Sequence, residues 1–578
     1  MKRASIVLSL FLLFGVFAGT GLAADKETFV KASIGTLQTL DPAVSYDTVG
    51  SMRHLNLYET LVAFDGTHTD RFVPLVATEV PTVENGGISA DGLTYTFTIR
   101  KGIKFHNGDP LTPEDVVYTF KRNMIADPVG GPVWMILEAL TGRSSTRKDD
   151  LLDPAIFALI DKSVEAKGDK VIFHLPVPYP PLMGILAYSG NVIIDKKWAI
   201  ENGCWDGNIA NAAKYNKPEP GKEPLHSIEN GSGPYRMKLW EQSKQFVFER
   251  FEDYWGPKPK IKTAIIKYVP EWSTRKLMLQ NGDADNVMVE NTFVPEVEAM
   301  EGVKVYKVPE LNVTGAMFCQ KVDPRGNPNI GSGKLDGEGI PPDFFADKNV
   351  RLAMSHLFDR ETYLADVANN LAVMPTSPNI EGLPYHMDVP VNGYDPEKAK
   401  AYMKKAWGGK AWEKGIKFTI VHNTGRVLRE AFALMLAENI MALNPKFRVE
   451  VRNVMWADYL VAYKAFRYPI FIIGWGADYP DPHNFLYPFM HSNGSYGRAM
   501  GIKNPTIDAL LRQGIETADP AKRAAIYEKL QRIWNEEVLG IAVVQPLQVK
   551  TYRSNVHGFS PNPIYSIEHE FLKDLWKE

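Results

Sequence analysis

One punctuation mark recurs along this chain and limits what it can become: an aspartate able to cap a helix, followed by a proline. Asp395-Pro396, Asp481-Pro482 and Asp519-Pro520 each put a side-chain oxygen where free backbone N–H groups need an acceptor, and a fixed φ where a helix begins. Behind Asp519, the residues Ile526, Leu530, Ile533 and Trp534 share one helical face. Asp347 precedes Val350, Ala353, Met354, Leu357 and Phe358, spaced for another. Strands lie between. Thr94 to Arg100 alternates polar and apolar residues, so Tyr95, Phe97 and Ile99 share a buried strand face. The turn dipeptides Asp91-Gly92 and Asn107-Gly108 flank it and favour tight hairpins. A helix start follows, with Thr112 as cap, Pro113 at the first helical position and Asp115 at the third. Strands alternating with capped helices predict a mixed α/β protein.

At 578 residues the chain exceeds what one core serves, so several domains are expected. A formal net charge of -3 attracts no nucleic acid, and none is expected as a partner. Met1-Lys2-Arg3, an apolar run from Ile6 to Phe17 and the small residues Gly19 to Ala24 read as a secretory signal peptide over residues 1–23, cleaved after Ala23 or Ala24. The run falls short of the ~20 residues that span a bilayer, and no cysteine stands at the cleavage site to accept a lipid. A free, exported, monomeric protein that does not itself span a membrane is expected. The two cysteines, Cys204 and Cys319, would be either a disulfide or two buried thiols.

Several blocks resemble the family 5 extracellular solute-binding proteins, the oligopeptide-, dipeptide- and nickel-binding components of ABC importers. They are Asp91 to Gly108 with Leu111 to Val116, Gly231-Ser232-Gly233-Pro234-Tyr235, Asp253-Tyr254-Trp255-Gly256, Val350 to Ala353 with Asp359-Arg360, Tyr394 to Ala399, and Gly474 to Pro482. The Gly-, Pro- and Asn-rich segment Asp323 to Pro342 departs from that pattern in its length and reads as a surface loop. The resemblance implies a two-lobed periplasmic-binding-protein fold with an extra inserted subdomain and a hinged ligand cleft. Residues 24–59, 190–308 and 546–578 would form lobe I, 60–189 the inserted subdomain and 309–545 the other lobe. Crossovers near Pro309–Ala316 and Val543–Pro546 would be the hinge. It also implies a periplasmic location and ABC permease subunits as partners. Most of the matched residues are expected to be scaffold, with Arg351 and Asp359 bonding to nearby backbone or to each other.

The site is expected after Ile470-Phe471-Ile472-Ile473, an apolar run that suits a strand buried on both faces. Ligands of α/β sheets collect beyond the carboxyl ends of such strands. There the chain places Gly474, Trp475, Gly476, Ala477 and Asp478: glycines that let backbone approach a ligand, a broad indole surface and a carboxylate. In the peptide binders that this sequence resembles, the matching aspartate holds the ligand's α-ammonium group. Trp475 is alternatively plain core, and Asp478 alternatively a loop aspartate. Tyr46 and Trp134 are weaker candidates for cleft walls, and Trp456 is read as core. An ammonium anchor favours a peptide ligand; an oligosaccharide, a nickel complex or another small metabolite is the alternative within the same fold. No HExxH helix, GxSxG elbow or zinc-spaced cysteine pair occurs, and Leu335 stands where Gly331-Ser332-Gly333-Lys334 would need a Ser or Thr to be a phosphate loop. No enzyme, metal or cofactor is expected.

Overall fold

The computed structural model describes residues 25–578 apart from 149, 309 and 518. The signal-peptide reading, and Pro309 of the first expected hinge segment, lie outside the described residues.

Two large sheets carry the molecule. The first has seven strands in the order Val303–Val308, Gln548–Arg553, Asn286–Met288, Thr28–Ser33, Thr263–Tyr268, Gln245–Arg250 and Tyr235–Glu241. The second has six, in the order Ala372–Val373, Gly540–Pro546, Asn312–Phe318, Ile470–Gly476, Ile416–Asn423 and Phe447–Val454. A smaller three-stranded sheet, Thr94–Thr98, Lys170–His174 and Val164–Lys167, packs with helices Pro113–Ala126 and Ile156–Ser163. The chain passes between the large sheets twice, once between Val308 and Asn312 and once across the single residue Leu547. Gln545 ties the passages together by donating to the carbonyl of Glu310 at 3.4 Å. Asn312 to Ala316 and Val543 to Pro546 are therefore strand residues of the second sheet, and the crossing points lie just outside them.

The capping logic holds in detail. Asp395, Asp481 and Asp519 accept from the backbone N–H of Lys398, His483 and Lys522 at the starts of helices Pro396–Met403, Pro482–Met490 and Pro520–Glu536. Thr112 donates its N–H and hydroxyl to Asp115. Tyr95, Phe97 and Ile99 are buried on one face. Asp91-Gly92 and Asn107-Gly108 sit at reversals closed by single bridges, Ile88 to Tyr95 and Lys104 to Pro110, so they turn the chain without long hairpin arms. Helix Lys348–Ser355 stops before Leu357 and Phe358, which are buried past its end. Arg351 donates to the carbonyls of Phe345, Ala346, Glu537 and Val538, the scaffold role expected of it. Cys204 and Cys319 are free and buried, which decides between the two states that the sequence leaves open.

Candidate functional site

A cleft with an empty volume of about 1690 Å³, counted out to its open mouth, lies where the two sheets face each other. One wall comes from the segment after strand Thr28–Ser33, the start of helix Thr48–Leu57 and the C-terminal stretch 564–569; the other from strand Ile470–Gly476 and helices Val427–Leu443 and Trp456–Lys464.

Strand Ile470–Gly476 forms because Ile470 to Ile473 are buried on both faces, at most 1% exposed. It runs three residues further than the apolar run suggests, so Gly474, Trp475 and Gly476 belong to the strand and only Ala477 and Asp478 lie beyond it. It pairs antiparallel with Asn312–Phe318 along its whole length. On its other side only Ile470 and Phe471 are paired, with Ile420 and Val421. From there toward the cleft no described strand pairs with it, but the hydroxyls of Tyr459 and Tyr496 donate to the carbonyls of Ile472 and Gly474 at 2.7 Å. The bare Cα of Gly474 makes room for Arg429, whose Nη2 lies 2.5 Å from where a Cβ would stand; the close approach here is by a guanidinium.

Asp478, 9% exposed, is held by one oxygen. Its Oδ2 accepts from the Tyr46 hydroxyl at 2.8 Å and from Asn484 Nδ2 at 2.8 Å. Its backbone N–H donates to Asn484 Oδ1 at 2.9 Å. Trp134 donates its indole N–H to the Tyr46 oxygen at 3.0 Å. Trp475 packs edge-on to Tyr46, ring centroids 5.4 Å apart. Tyr46, Trp134, Trp475 and Asp478, chosen from three separate stretches of sequence, are thus one hydrogen-bonded and aromatic cluster. Trp134 does not line the cleft; it stacks on Tyr487 at 4.3 Å and fixes Tyr46 from behind. Oδ1 of Asp478 accepts from no described residue, and no described cation lies within 4.0 Å of the carboxylate. Burial without a counter-charge raises this carboxyl to about 7, against the two hydrogen bonds that favour the ionised form.

The opposite character appears on helix Val427–Leu443. Arg426 stands at its N-cap and Arg429 in its first turn, where a cation opposes the helix dipole. Arg426 reaches across the cleft to Glu290 at 3.2 Å and faces Glu568 at 4.0 Å. Arg429 donates to neutral Asn423 at 2.6 Å and is paired with no carboxylate among the described residues; burial and neighbouring Arg426 pull it down to about 10. Sequence reasoning missed both arginines, although two cations at a helix start are a readable anomaly. It also missed Asn484, Glu290, Glu310 and Glu568, which carry no local signal. Trp456, expected in the core, is half-buried and lines the cleft.

A profile of the bacterial extracellular solute-binding proteins, family 5, matches residues 71–497. The chain belongs to this family. Among family 5 relatives, it is 24% identical to the dipeptide-binding protein of Escherichia coli over 94% of both chains. It is 25% identical to di/tripeptide-binding protein 2 of Pseudomonas aeruginosa, over 99% of this chain and 100% of that one. The solved structure of the ABC transporter-associated periplasmic binding protein DppA from Helicobacter pylori, in complex with the peptide STSA, superposes with a TM-score of 0.76 at 23% identity, covering 95% of this chain and 98% of that one. The two large sheets are the two lobes of this fold, and family 5 proteins are solute-binding proteins.

Proposed function

We propose that this family 5 protein captures short peptides with a free amino terminus and hands them to the permease of an ABC importer, without chemistry on the cargo. The observation that carries the reading is the half-satisfied carboxylate of Asp478. A buried carboxylate with no cation is costly, and an ammonium donated to Oδ1 relieves that cost while satisfying the guest. Beyond Phe471 no described strand pairs with this edge; the Tyr459 and Tyr496 hydroxyls already occupy the carbonyls of Ile472 and Gly474, so the part that suits an extended guest chain, whose main-chain groups are the same for every sequence, is at Gly476. Arg429, beside Gly474 and without a carboxylate of its own, suits a guest's terminal carboxylate. The relatives named above for dipeptides and di/tripeptides support this reading over an oligosaccharide or a nickel complex. Sheet membership supports the order of pieces in the proposed division into lobe I (24–59, 190–308, 546–578), subdomain (60–189) and second lobe (309–545), although Pro546 itself still belongs to the second sheet, and the family's extracellular character supports export through the N-terminal signal to the periplasm.

Titration calorimetry with one short peptide in free and N-acetylated form tests this. Acetylation removes the ammonium and is expected to weaken binding by at least ~2 kcal/mol, the scale for stranding one member of a buried charged pair. Equal affinity for the two forms would remove Asp478 as the amino-terminal anchor.

A further inference from the structure

Of the carboxylates lining this cleft, Asp47, Glu310 and Asp478 have no described cation within 4.0 Å. Asp478 meets two hydrogen-bond donors and Asp47 caps a helix; the third is Glu310. It lies in the short passage between the sheets, lines the same cavity and is 7% exposed. No described lysine, arginine or histidine lies within 4.0 Å of its carboxylate, and the side-chain donor beside it is neutral Asn312. The cations close enough to attract it, Arg426 and Lys550, are committed elsewhere: Arg426 to Glu290 at 3.2 Å, Lys550 to Glu570 at 2.8 Å and to two backbone carbonyls. Glu290 adds a repulsion. The remaining cleft carboxylates have compensation that Glu310 lacks. Glu568 accepts twice from Ser33 and faces Arg426, and Asp47 accepts the N–H groups of Val49 and Gly50 through Oδ1 at the start of helix Thr48–Leu57, with only its Oδ2 left without a partner.

Glu310 and Asp478 are also neighbours in the fold. Asn312 is in register with Gly476, and Ala477 donates its N–H to the carbonyl of Leu311 at 2.9 Å. Glu310 and Asp478 are the next residues outward on these two adjacent segments. A guest whose ammonium meets Asp478 has its first residues beside Glu310. We propose that Glu310 is a specificity residue that selects guests carrying a second positive charge, a lysine or arginine side chain at the first or second position of the peptide. This rests on the peptide reading and narrows it from any short peptide to basic ones. The long apolar stem of such a side chain spans the gap, and its terminal donors meet a carboxylate that no protein group neutralises.

Lysine against norleucine, which keeps the stem and removes the charge, isolates the effect. Calorimetry on the wild-type protein compares Lys-Ala-Ala with norleucine-Ala-Ala, and Ala-Lys-Ala with Ala-norleucine-Ala. At least one lysine peptide is expected to bind tenfold or more tightly than its norleucine counterpart, and Glu310→Gln is expected to reduce that ratio to within about threefold. Norleucine peptides binding as tightly as both lysine peptides would overturn the role of Glu310 and leave the peptide reading intact. A lysine preference that survives Glu310→Gln unchanged would assign the selectivity to another carboxylate and likewise overturn it. Failure of all four peptides to bind the wild-type protein would overturn the peptide reading, and this inference with it. Where Glu310→Gln folds poorly, Glu310→Met, of similar length and uncharged, takes its place with the same expected and overturning ratios.

Discussion

Asp478 shows how a single residue is made ready by what surrounds it and by what is withheld. Tyr46 and Asn484 hold one oxygen, the other is left for a guest, and no protein cation competes. Because its carboxyl is raised to about 7 by burial, the folded chain keeps a proton that the unfolded chain sheds near pH 4. The stability this residue contributes is therefore present at low pH and is lost as pH rises from about 4 to about 7. Peptide binding runs the other way, since an ammonium needs the ionised carboxylate. Affinity is expected to rise by up to tenfold per pH unit up to about pH 7, then to fall above ~8 as the guest's α-amino group loses its proton. Asp478→Asn is expected to cost at least ~2 kcal/mol of peptide affinity and to abolish the acidic limb; calorimetry across pH 5 to 9 reads both, and an unchanged acidic limb in the variant would point to another group.

At the scale of elements, helix Pro482–Met490 delivers Asn484 to the site, and its start is held by one residue with two duties. Asp481 caps the helix through the N–H of His483 at 2.9 Å and pairs with the buried guanidinium of Arg523 at 2.8 Å. Asparagine keeps the cap and drops the pair, whereas alanine drops both. Asp481→Asn is expected to lose ~3 kcal/mol of stability, because Arg523 is left buried with its charge unpaired, and Asp481→Ala about 1 kcal/mol more. Chemical denaturation measures the two, and equal losses would remove the cap from the account. The start of helix Val427–Leu443 is the reverse case: with Arg426 and Arg429 at its positive end it gives up helix stability for a cationic cleft wall. Arg429→Gln is expected to weaken a free-acid peptide more than its C-terminal amide; equal weakening of the two in calorimetry would free Arg429 of that role.

Over the whole molecule, the lobes are connected only at the two passages and meet again through contacts across the cleft. Arg426 joins Glu290, Tyr46 joins Asp478, and His483 of the second lobe joins Glu138 of the small subdomain at 2.8 Å, where Tyr179 also donates. Rigid-body rotation about a few hinge residues is how such lobes open, and contacts made only when they are shut favour closure before any guest is present. Arg426→Gln is expected to widen the ligand-free protein in small-angle scattering and to reduce peptide affinity by about 1 kcal/mol through the lower population of the closed form. A ligand-free radius of gyration equal to that of the wild type would show that Arg426 does not act as a latch.

What the chain announces by itself is local. Caps, turns and the buried strand Ile470–Ile473 obey rules that operate within a few residues, and so they can be read before any fold is known; Gly474 to Asp478 follows from that strand. The blocks shared with family 5 extend this to the two-lobed architecture. Folding alone decides that Tyr46, Trp134 and Asn484 converge on Asp478, that Trp456 lines the cleft while packing on the core, and that Glu310 is left without a cation. Charge compensation depends on distances between segments hundreds of residues apart, and those distances exist only once both sheets have formed.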